Sequence, residues 1–291
     1  MKPWMTALIC AIGLSACTKD ESDTDDTDMV DTDDTDVEPA LYDTLGGEEA
    51  VHAVVGEFLT VVSADTRINW FFATTDIADL QGKLEDQICV ATGGPCTYTG
   101  GTMVAVHADM AITDEQFDAL AEDMLAALDN LGIPYALDGS QPIDGLLVSL
   151  VGMKSDIVTD PSGDDVYFNQ LGGHAAVVAV IQDFLGHVVA DSRINGFFAD
   201  VDAANLGRLL VEQVCNATGG YCEYTGRSMA DAHEGLCIGD DDFNALVEDM
   251  ILAFDDNSVP HSETLDGSAL GDGLLNALAS MKPEIVENCA Q

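Results

Sequence analysis

Two histidines in this sequence stand at matching places. An offset of 126 residues carries His107 onto His233, whereas His52, His174, His187 and His261 meet Val178, Glu48, Val61 and Tyr135. One repeated imidazole per copy offers a neutral ring nitrogen that can bind a metal near pH 7. No second His or Cys lies at the spacing of a zinc or di-iron site, and no Glu-x-x-His recurs. A lone proximal imidazole in an apolar helical domain suits a haem iron above other metals.

The histidine pair belongs to a repeat that runs through the chain. The same offset maps Leu45-Gly46-Gly47 onto Leu171-Gly172-Gly173, Phe58-Leu59 onto Phe184-Leu185, and Arg67-Ile68-Asn69 onto Arg193-Ile194-Asn195. It continues through Phe71-Phe72, Gln87, Cys89, Gly93-Gly94, Cys96, Tyr98-Thr99-Gly100 and Met103 without a gap. Only Met153-Lys154 slips, matching Met281-Lys282 at 128, which puts a two-residue insertion in the loop after Pro260. A period this long means tandem domains, expected over 41–159 and 166–288, and not a solenoid.

Each copy reads as helical. Ala50, Val51, Val54, Val55, Phe58, Val61 and Val62 recur at spacings of three and four, the stripe of an amphipathic helix. A second helix is expected from about Ile77 to Ala91, stopped by Gly93-Gly94. Thr113-Asp114-Glu115-Gln116 has capping-box spacing and opens a third, with Phe117, Leu120, Met124, Leu125 and Leu128 on its inner face. The last helix should cover Ile143 to Val158. No sustained alternation of the hairpin type occurs, so the fold class is all-α.

Of eight cysteines, Cys10 falls in the apolar leader and Cys17 at its end, leaving Cys89, Cys96, Cys215, Cys222, Cys237 and Cys289. An even number in an exported chain favours disulfides. In one continuous helix Cys89 and Cys96 would have Cα atoms about 10.5 Å apart, beyond the roughly 7 Å that a disulfide spans. Gly93-Gly94 removes the objection by letting the chain turn back, and Gly219-Gly220 does the same for Cys215 and Cys222. Cys237 with Cys289 follows by elimination. A zinc site would want closer cysteine pairs and four ligands per copy.

The amino terminus and the charge set the surroundings. Lys2 and the apolar run Trp4 to Leu14 read as an export signal over 1–16, and Leu14-Ser15-Ala16-Cys17 resembles the lipobox of bacterial lipoproteins. That resemblance implies a lipid thioether on Cys17 and anchorage on the periplasmic face or the cell surface. No other stretch reaches eighteen consecutive apolar residues. Residues 17–40 then form a tether with repeated Asp-Asp-Thr-Asp, too polar to bury anything. The whole chain carries 53 acids against 9 Lys and Arg, a formal charge of -44 over 291 residues. Such a surface repels phosphate, which makes nucleic acid a poor partner and leaves the lipid anchor as the expected membrane contact.

Taken in order, Leu45-Gly46-Gly47, Phe58, Phe71-Phe72, Gly93-Gly94, Tyr98-Thr99-Gly100 and Met103-x-x-x-His107 resemble a group 1 truncated haemoglobin, and the second copy matches at each point. The resemblance implies a two-over-two helical sandwich holding haem b in each copy. His107 and His233 would then be the proximal ligands, Phe72 and Phe198 the rings on the haem face, and Phe58 and Phe184 part of the pocket wall.

The departures from the family concern the distal side. Where relatives often carry a Tyr and a Gln that donate to a bound gas, this chain has Leu59 and Leu84 in the first copy and Leu185 and Leu210 in the second. Leu80 and Leu206 fill the other usual distal position. A hydrogen bond to a charged partner is worth ~1.5 to 3 kcal/mol, so its loss should speed O₂ dissociation by roughly ten- to over a hundredfold. Lys83, next to Leu84, is the one candidate for a distal ligand, and its counterpart is Leu209. A solvated Lys at the pocket rim is the alternative. The haem carboxylates also need cations. Arg67 and Arg193 recur, whereas Arg227 faces Gly101 and Arg208 faces Gly82, so the second copy is better supplied and the first is the one more prone to lose haem.

An apolar pocket suits NO, CO or weakly held O₂, or electron transfer with a redox partner. NO dioxygenation, which needs a reductant and held O₂, is the weaker version. The rival is a haem-free helical module kept for interaction or structure.

Overall fold

The computed structural model describes residues 40–287. The leader, Cys17, the acidic tether and Cys289 lie outside the described residues. Two compact units carry the chain. One takes residues up to Ala64, Asp76–Thr102 and Leu120–Ser155, and the other takes Asp65–Thr75, Met103–Ala119 and residues from Asp156 on. All regular structure among the described residues is helical.

The elements repeat as the sequence does. In the first copy they are α1 (Leu41–Leu45), α2 (Gly47–Ala64), a 3-10 turn (Asn69–Phe72), α3 (Ile77–Ala91), α4 (Met103–His107), α5 (Asp114–Leu131), α6 (Asp144–Gly152) and α7 (Lys154–Ile157). In the second they are α8 (Tyr167–Gln170), α9 (Gly173–Ala190), a 3-10 turn (Asn195–Phe198), α10 (Ala203–Ala217), α11 (Met229–His233), α12 (Asp240–Asp256), α13 (Asp272–Ser280) and α14 (Lys282–Ile285). From α2 and α9 to α4 and α11 the bounds differ by 126. At α6, α7 and their counterparts they differ by 128, so the insertion sits in the loop before α13.

The expected helix from Ile143 to Val158 is interrupted. Its backbone turns at Met153, where the chain leaves α6 and re-enters a helix as α7, and Met281 does the same between α13 and α14. Gln87 Nε2 donates to Met153 Sδ at 3.4 Å, and Gln213 Nε2 lies 3.6 Å from Met281 Sδ. The break thus sets a thioether against an amide of α3 or α10.

Local signals explain where the helices begin. Asp76 and Asp202 cap α3 and α10, each accepting from the two backbone N–H groups at 3.0 to 3.2 Å that open its helix. Thr113 and Gln116 exchange reciprocal hydrogen bonds of 2.9 and 3.3 Å ahead of α5, the capping box their spacing predicts. Gly46 (φ +106°) and Gly172 (φ +95°) take left-handed backbone between the short first helix and the long one that follows. Side chains seldom adopt that conformation, which accounts for a Gly there in both copies.

Within the second copy α9 packs on both α10 and α12, and α12 packs on α13. Val177, Val180, Ile181, Phe184 and Val188 form the inner side of α9 against Phe243, Ala245, Met250, Ala253 and Phe254 of α12. Burial of each large side chain contributes about 1.5 to 3 kcal/mol. Helix α9 is also the one described helix long and apolar enough to cross a membrane. Its inward stripe and its Asp183, Gln182 and His174 fit the core helix of a globular domain.

Two buried aspartates organise the last loops. Asp144, 1 % exposed, accepts from the backbone N–H groups of Ala136, Leu137, Gly139 and Gln141 at 3.0 to 3.2 Å. Burial pushes its carboxyl up, but those four donors outweigh it and hold the group below the ordinary carboxylate value. Asp272, 0 % exposed, collects Ser262 N and Oγ at 2.7 Å and Gly267 N and Ala269 N at 3.1 Å. The Ser262 amide above all lowers it to about 2.

Because that carboxyl is depressed, its contribution to stability is complete above the unfolded value, ~3.9, and disappears as pH falls through about 2. Asp272→Asn should therefore melt below the parent at pH 7, with the gap closing as pH approaches 2. Thermal unfolding of both proteins across that range is the check, and a gap independent of pH would contradict the assignment.

Candidate functional site

In the second copy the residues singled out from sequence converge. Phe184 and Leu185 from α9, Phe198 from the 3-10 turn, Leu206 and Leu210 from α10 and His233 at the end of α11 all line one cavity of about 370 Å³. Its size lies in the range of cofactor sites, ~300 to 1,000 Å³. Most of the lining is apolar, with walls contributed by Phe243 and Met250 of α12 and Leu274 of α13.

His233 is half-buried, and its Nδ1 lies 2.7 Å from the carbonyl oxygen of Met229, one turn back. A carbonyl only accepts, so Nδ1 carries the proton and Nε2 keeps its lone pair. That is the tautomer a metal ligand needs, with the second ring nitrogen held by the backbone. The first copy repeats the contact: His107 Nδ1 lies 2.8 Å from Met103 O.

Three devices hold the five-residue helix that carries this histidine. Cys215 near the end of α10 is bonded to Cys222, with Cα atoms 5.8 Å apart, and Cys89 is bonded to Cys96 at 5.9 Å. The turn between them closes because Gly220 N donates to Cys215 O at 2.8 Å and Gly94 N to Cys89 O at 2.7 Å. Next, the hydroxyl of Tyr224 donates to Arg227 O at 2.9 Å, and Tyr98 donates to Gly101 O at 3.0 Å. The Tyr ring folds so tightly over the chain that a Cβ on Gly226 or Gly100 would collide with its hydroxyl. Finally, Ser228 Oγ caps α11 by accepting from Asp231 N at 3.1 Å. Cys237 is disulfide-bonded as well, and Cys289 lies outside the described residues.

In the first copy the counterparts sit on the matching elements. Phe58 and Leu59 are buried on α2, and Leu80 and Leu84 are half-buried on α3. Phe72 on the 3-10 turn and His107 on α4 are half-buried and belong to the other compact unit.

The cations fall differently from the sequence expectation. Arg67 and Arg193 each turn back on the aspartate two residues earlier, Arg67 Nε reaching Asp65 Oδ2 at 2.8 Å and Arg193 Nε reaching Asp191 Oδ2 at 2.9 Å. Their recurrence marks a structural turn, and Arg193 is not part of the cavity wall. Lys83 is exposed, with Nζ 2.5 Å from Asp79 Oδ2. The Asp79 carboxylate raises the lysine above its ordinary value.

Phe197, Gln213 and Met229 line the cavity with no site role expected from sequence, and Arg227, the cation that the second copy alone carries at its position, lines it as well. The repeat pairs the first three with Phe71, Gln87 and Met103, so recurrence was the available signal.

Comparison with known proteins bears on what such a cavity holds. The family described as bacterial-like globin matches residues 40–141 and again 166–269, and the chain belongs to that family. It is 35 % identical over 127 residues to the group 1 truncated hemoglobin GlbN of Mycolicibacterium paratuberculosis, covering 43 % of this chain and 90 % of that one. With GlbN of Synechocystis it shares 38 % identity over 101 residues, 33 % of this chain and 82 % of the relative. Among solved structures it is similar to truncated hemoglobin of Tetrahymena pyriformis in the Fe(III) form (30 % identity, TM-score 0.37, 41 % of this chain and 98 % of that one). It is also similar to the 2/2 hemoglobin of Synechococcus in the cyanomet state with covalently attached heme (35 % identity, TM-score 0.37, 41 % and 98 %). With the family matched over both copies, the fold is two copies of a truncated-globin helical sandwich, and the family's role is that of a haem-binding globin.

The disulfide turn yields a direct prediction. A Cβ on Gly220 would lie 2.6 Å from Cys215 Sγ and 2.8 Å from the Phe168 ring. Gly220→Ala should lower the melting temperature and raise the titre of free thiol under denaturing conditions. An unchanged titre and melting point would contradict the close approach.

Proposed function

We propose that each copy holds one haem b, with His107 and His233 as the proximal iron ligands, and that the protein binds an uncharged diatomic gas. The observation that carries this reading is the second-copy cavity, in which His233 keeps Nε2 free because Nδ1 donates to Met229 O at 2.7 Å. Bound haem supplies an iron centre with an open coordination position. The chain's part is to present one neutral imidazole, to enclose the macrocycle between Phe184, Phe198 and the leucines, and to exclude water.

The distal side is defined by what it does not donate. Leu185, Leu206 and Leu210, and in the first copy Leu59, Leu80 and Leu84, present hydrocarbon where a hydrogen-bond donor would retain O₂. Such a pocket favours NO, CO or loosely held O₂, or an electron-transfer role with a redox partner. Export supports the same picture: the lipobox-like Leu14-Ser15-Ala16-Cys17 and the disulfides at 89–96 and 215–222 suit a lipid-anchored protein in an oxidising compartment.

Two measurements test the reading. Pyridine haemochrome analysis of the haemin-loaded protein should return two haems per chain, one for His107→Ala, one for His233→Ala and none for the double variant. A colourless protein that refuses haemin contradicts it. In the His107→Ala background, Leu185→Tyr should slow O₂ dissociation by about tenfold or more, the effect of restoring a donor. An unchanged rate would show that a donor already serves the site.

A further inference from the structure

We infer a second binding site, for a flat aromatic cation, in a cavity of about 660 Å³ walled by Trp70, Phe71, His174 and Tyr221 and charged by Glu223. All of these residues belong to one compact unit, the one that combines Asp65–Thr75 with residues from Asp156 on. The volume lies in the range of small-molecule sites, ~300 to 1,000 Å³. None of the five lines the cavity of His233, and the two cavities meet at a common wall, Ile181 and Leu185. Occupancy of this second cavity does not depend on haem.

Residues in which the two copies differ gather here. At the offset of 126, Trp70 meets Gly196, His174 meets Glu48, Gln182 meets Gly56, Tyr221 meets Pro95 and Glu223 meets Thr97, and all five of the former line this cavity. The His233 cavity is built largely from positions that recur. Side chains that the repeat does not require have thus converged on a second place, away from the repeated histidine.

The aromatic wall is assembled in advance. Trp70 is buried, and its indole N–H donates to Arg67 O at 3.2 Å, which fixes the ring. Phe71 stacks on it with ring centroids 3.8 Å apart, and the His174 imidazole lies within 6° of parallel at 5.2 Å. Phe168 meets Trp70 edge-on at 5.5 Å. Tyr221 is exposed, with its ring centroid 6.4 Å from that of Phe71. Rings held in this way offer a planar ligand stacking partners at separations of ~4.5 to 7 Å.

The sign of the ligand follows from what is left unpaired. Arg208 is tied to Glu212 and also donates to Thr225 Oγ1 at 3.0 Å and Asn205 Oδ1 at 2.9 Å, while Glu212 accepts from Thr225 N and Oγ1 at 3.1 and 2.8 Å. That pair cancels itself. Burial pushes the His174 imidazole below its ordinary value, so the ring is neutral at pH 7 and repels no cation. Glu223 remains, and among the described residues it enters no hydrogen bond or ion pair. One open carboxylate beside aromatic rings, on a chain of charge -44, draws in a cation and turns away an anion. The rings add cation–π attraction.

The test is equilibrium dialysis of the full, haem-free chain against N-methylacridinium and against its uncharged parent acridine at neutral pH, repeated with saturating haemin. Physiological ionic strength screens attraction to the acidic surface at large. The cation should bind saturably at one site per chain, and Glu223→Gln and Tyr221→Ala should each weaken it about fivefold, the size expected of an exposed charge or ring. Acridine should bind more weakly and be indifferent to Glu223→Gln. Both substituted residues are exposed, and melting temperatures equal to the parent's verify that the fold is kept. Haemin should leave the affinity unchanged. Absence of saturable binding, equal affinity in the parent and both variants, or displacement of the probe by haemin would overturn the site, and none of these outcomes decides whether haem binds.

Discussion

The site depends on one short hydrogen bond, from the imidazole Nδ1 to the carbonyl four residues earlier. It decides which ring nitrogen is protonated and so whether the histidine can serve as a metal ligand. A helix of five residues cannot hold such a geometry by itself, because isolated helices of that length do not persist in water. The chain fixes it from outside. A disulfide ties the end of the preceding long helix to the loop, a tyrosine folded over a glycine sets the next turn, and in the second copy a serine caps the short helix. Removal of any one leaves the imidazole on a segment with little else to hold it.

The two copies share that scaffold and differ at the rim. Both carry leucine at the matching positions, Leu59, Leu80 and Leu84 in the first copy and Leu185, Leu206 and Leu210 in the second, so the apolar distal side that we propose would be common to both. One lining residue is not shared: Arg227 lines the second-copy cavity, and Gly101 stands at the matching position in the first copy.

Much of this was legible in sequence. The spacing of Val51, Val55, Phe58 and Val62 identifies α2, Gly93-Gly94 marks the end of α3 and the return that lets Cys89 meet Cys96, and the 126-residue offset isolates one histidine per copy. Other features lay beyond pattern. Asp144 and Asp272 look like ordinary acids in a first helical turn, and only the folded loops reveal that each gathers four donors. The break at Met153 lies beside Gly152 and its counterpart at Met281 stands two residues before Pro283, single signals within an otherwise continuous helical pattern. The recurrence of Arg67 and Arg193 suggested a ligand, but a pair two residues apart, Asp65 with Arg67 and Asp191 with Arg193, satisfies the charge locally. Recurrence reports that a position is constrained and does not say whether fold or ligand constrains it.

Resonance Raman spectroscopy of the haemin-loaded, reduced protein addresses the proximal bond itself. With histidine labelled by ¹⁵N, an iron–imidazole stretching band that shifts on labelling is expected in His107→Ala and in His233→Ala alike, and it should vanish in the double variant. A band insensitive to the label, or one that survives the loss of both histidines, would contradict ligation by His107 and His233.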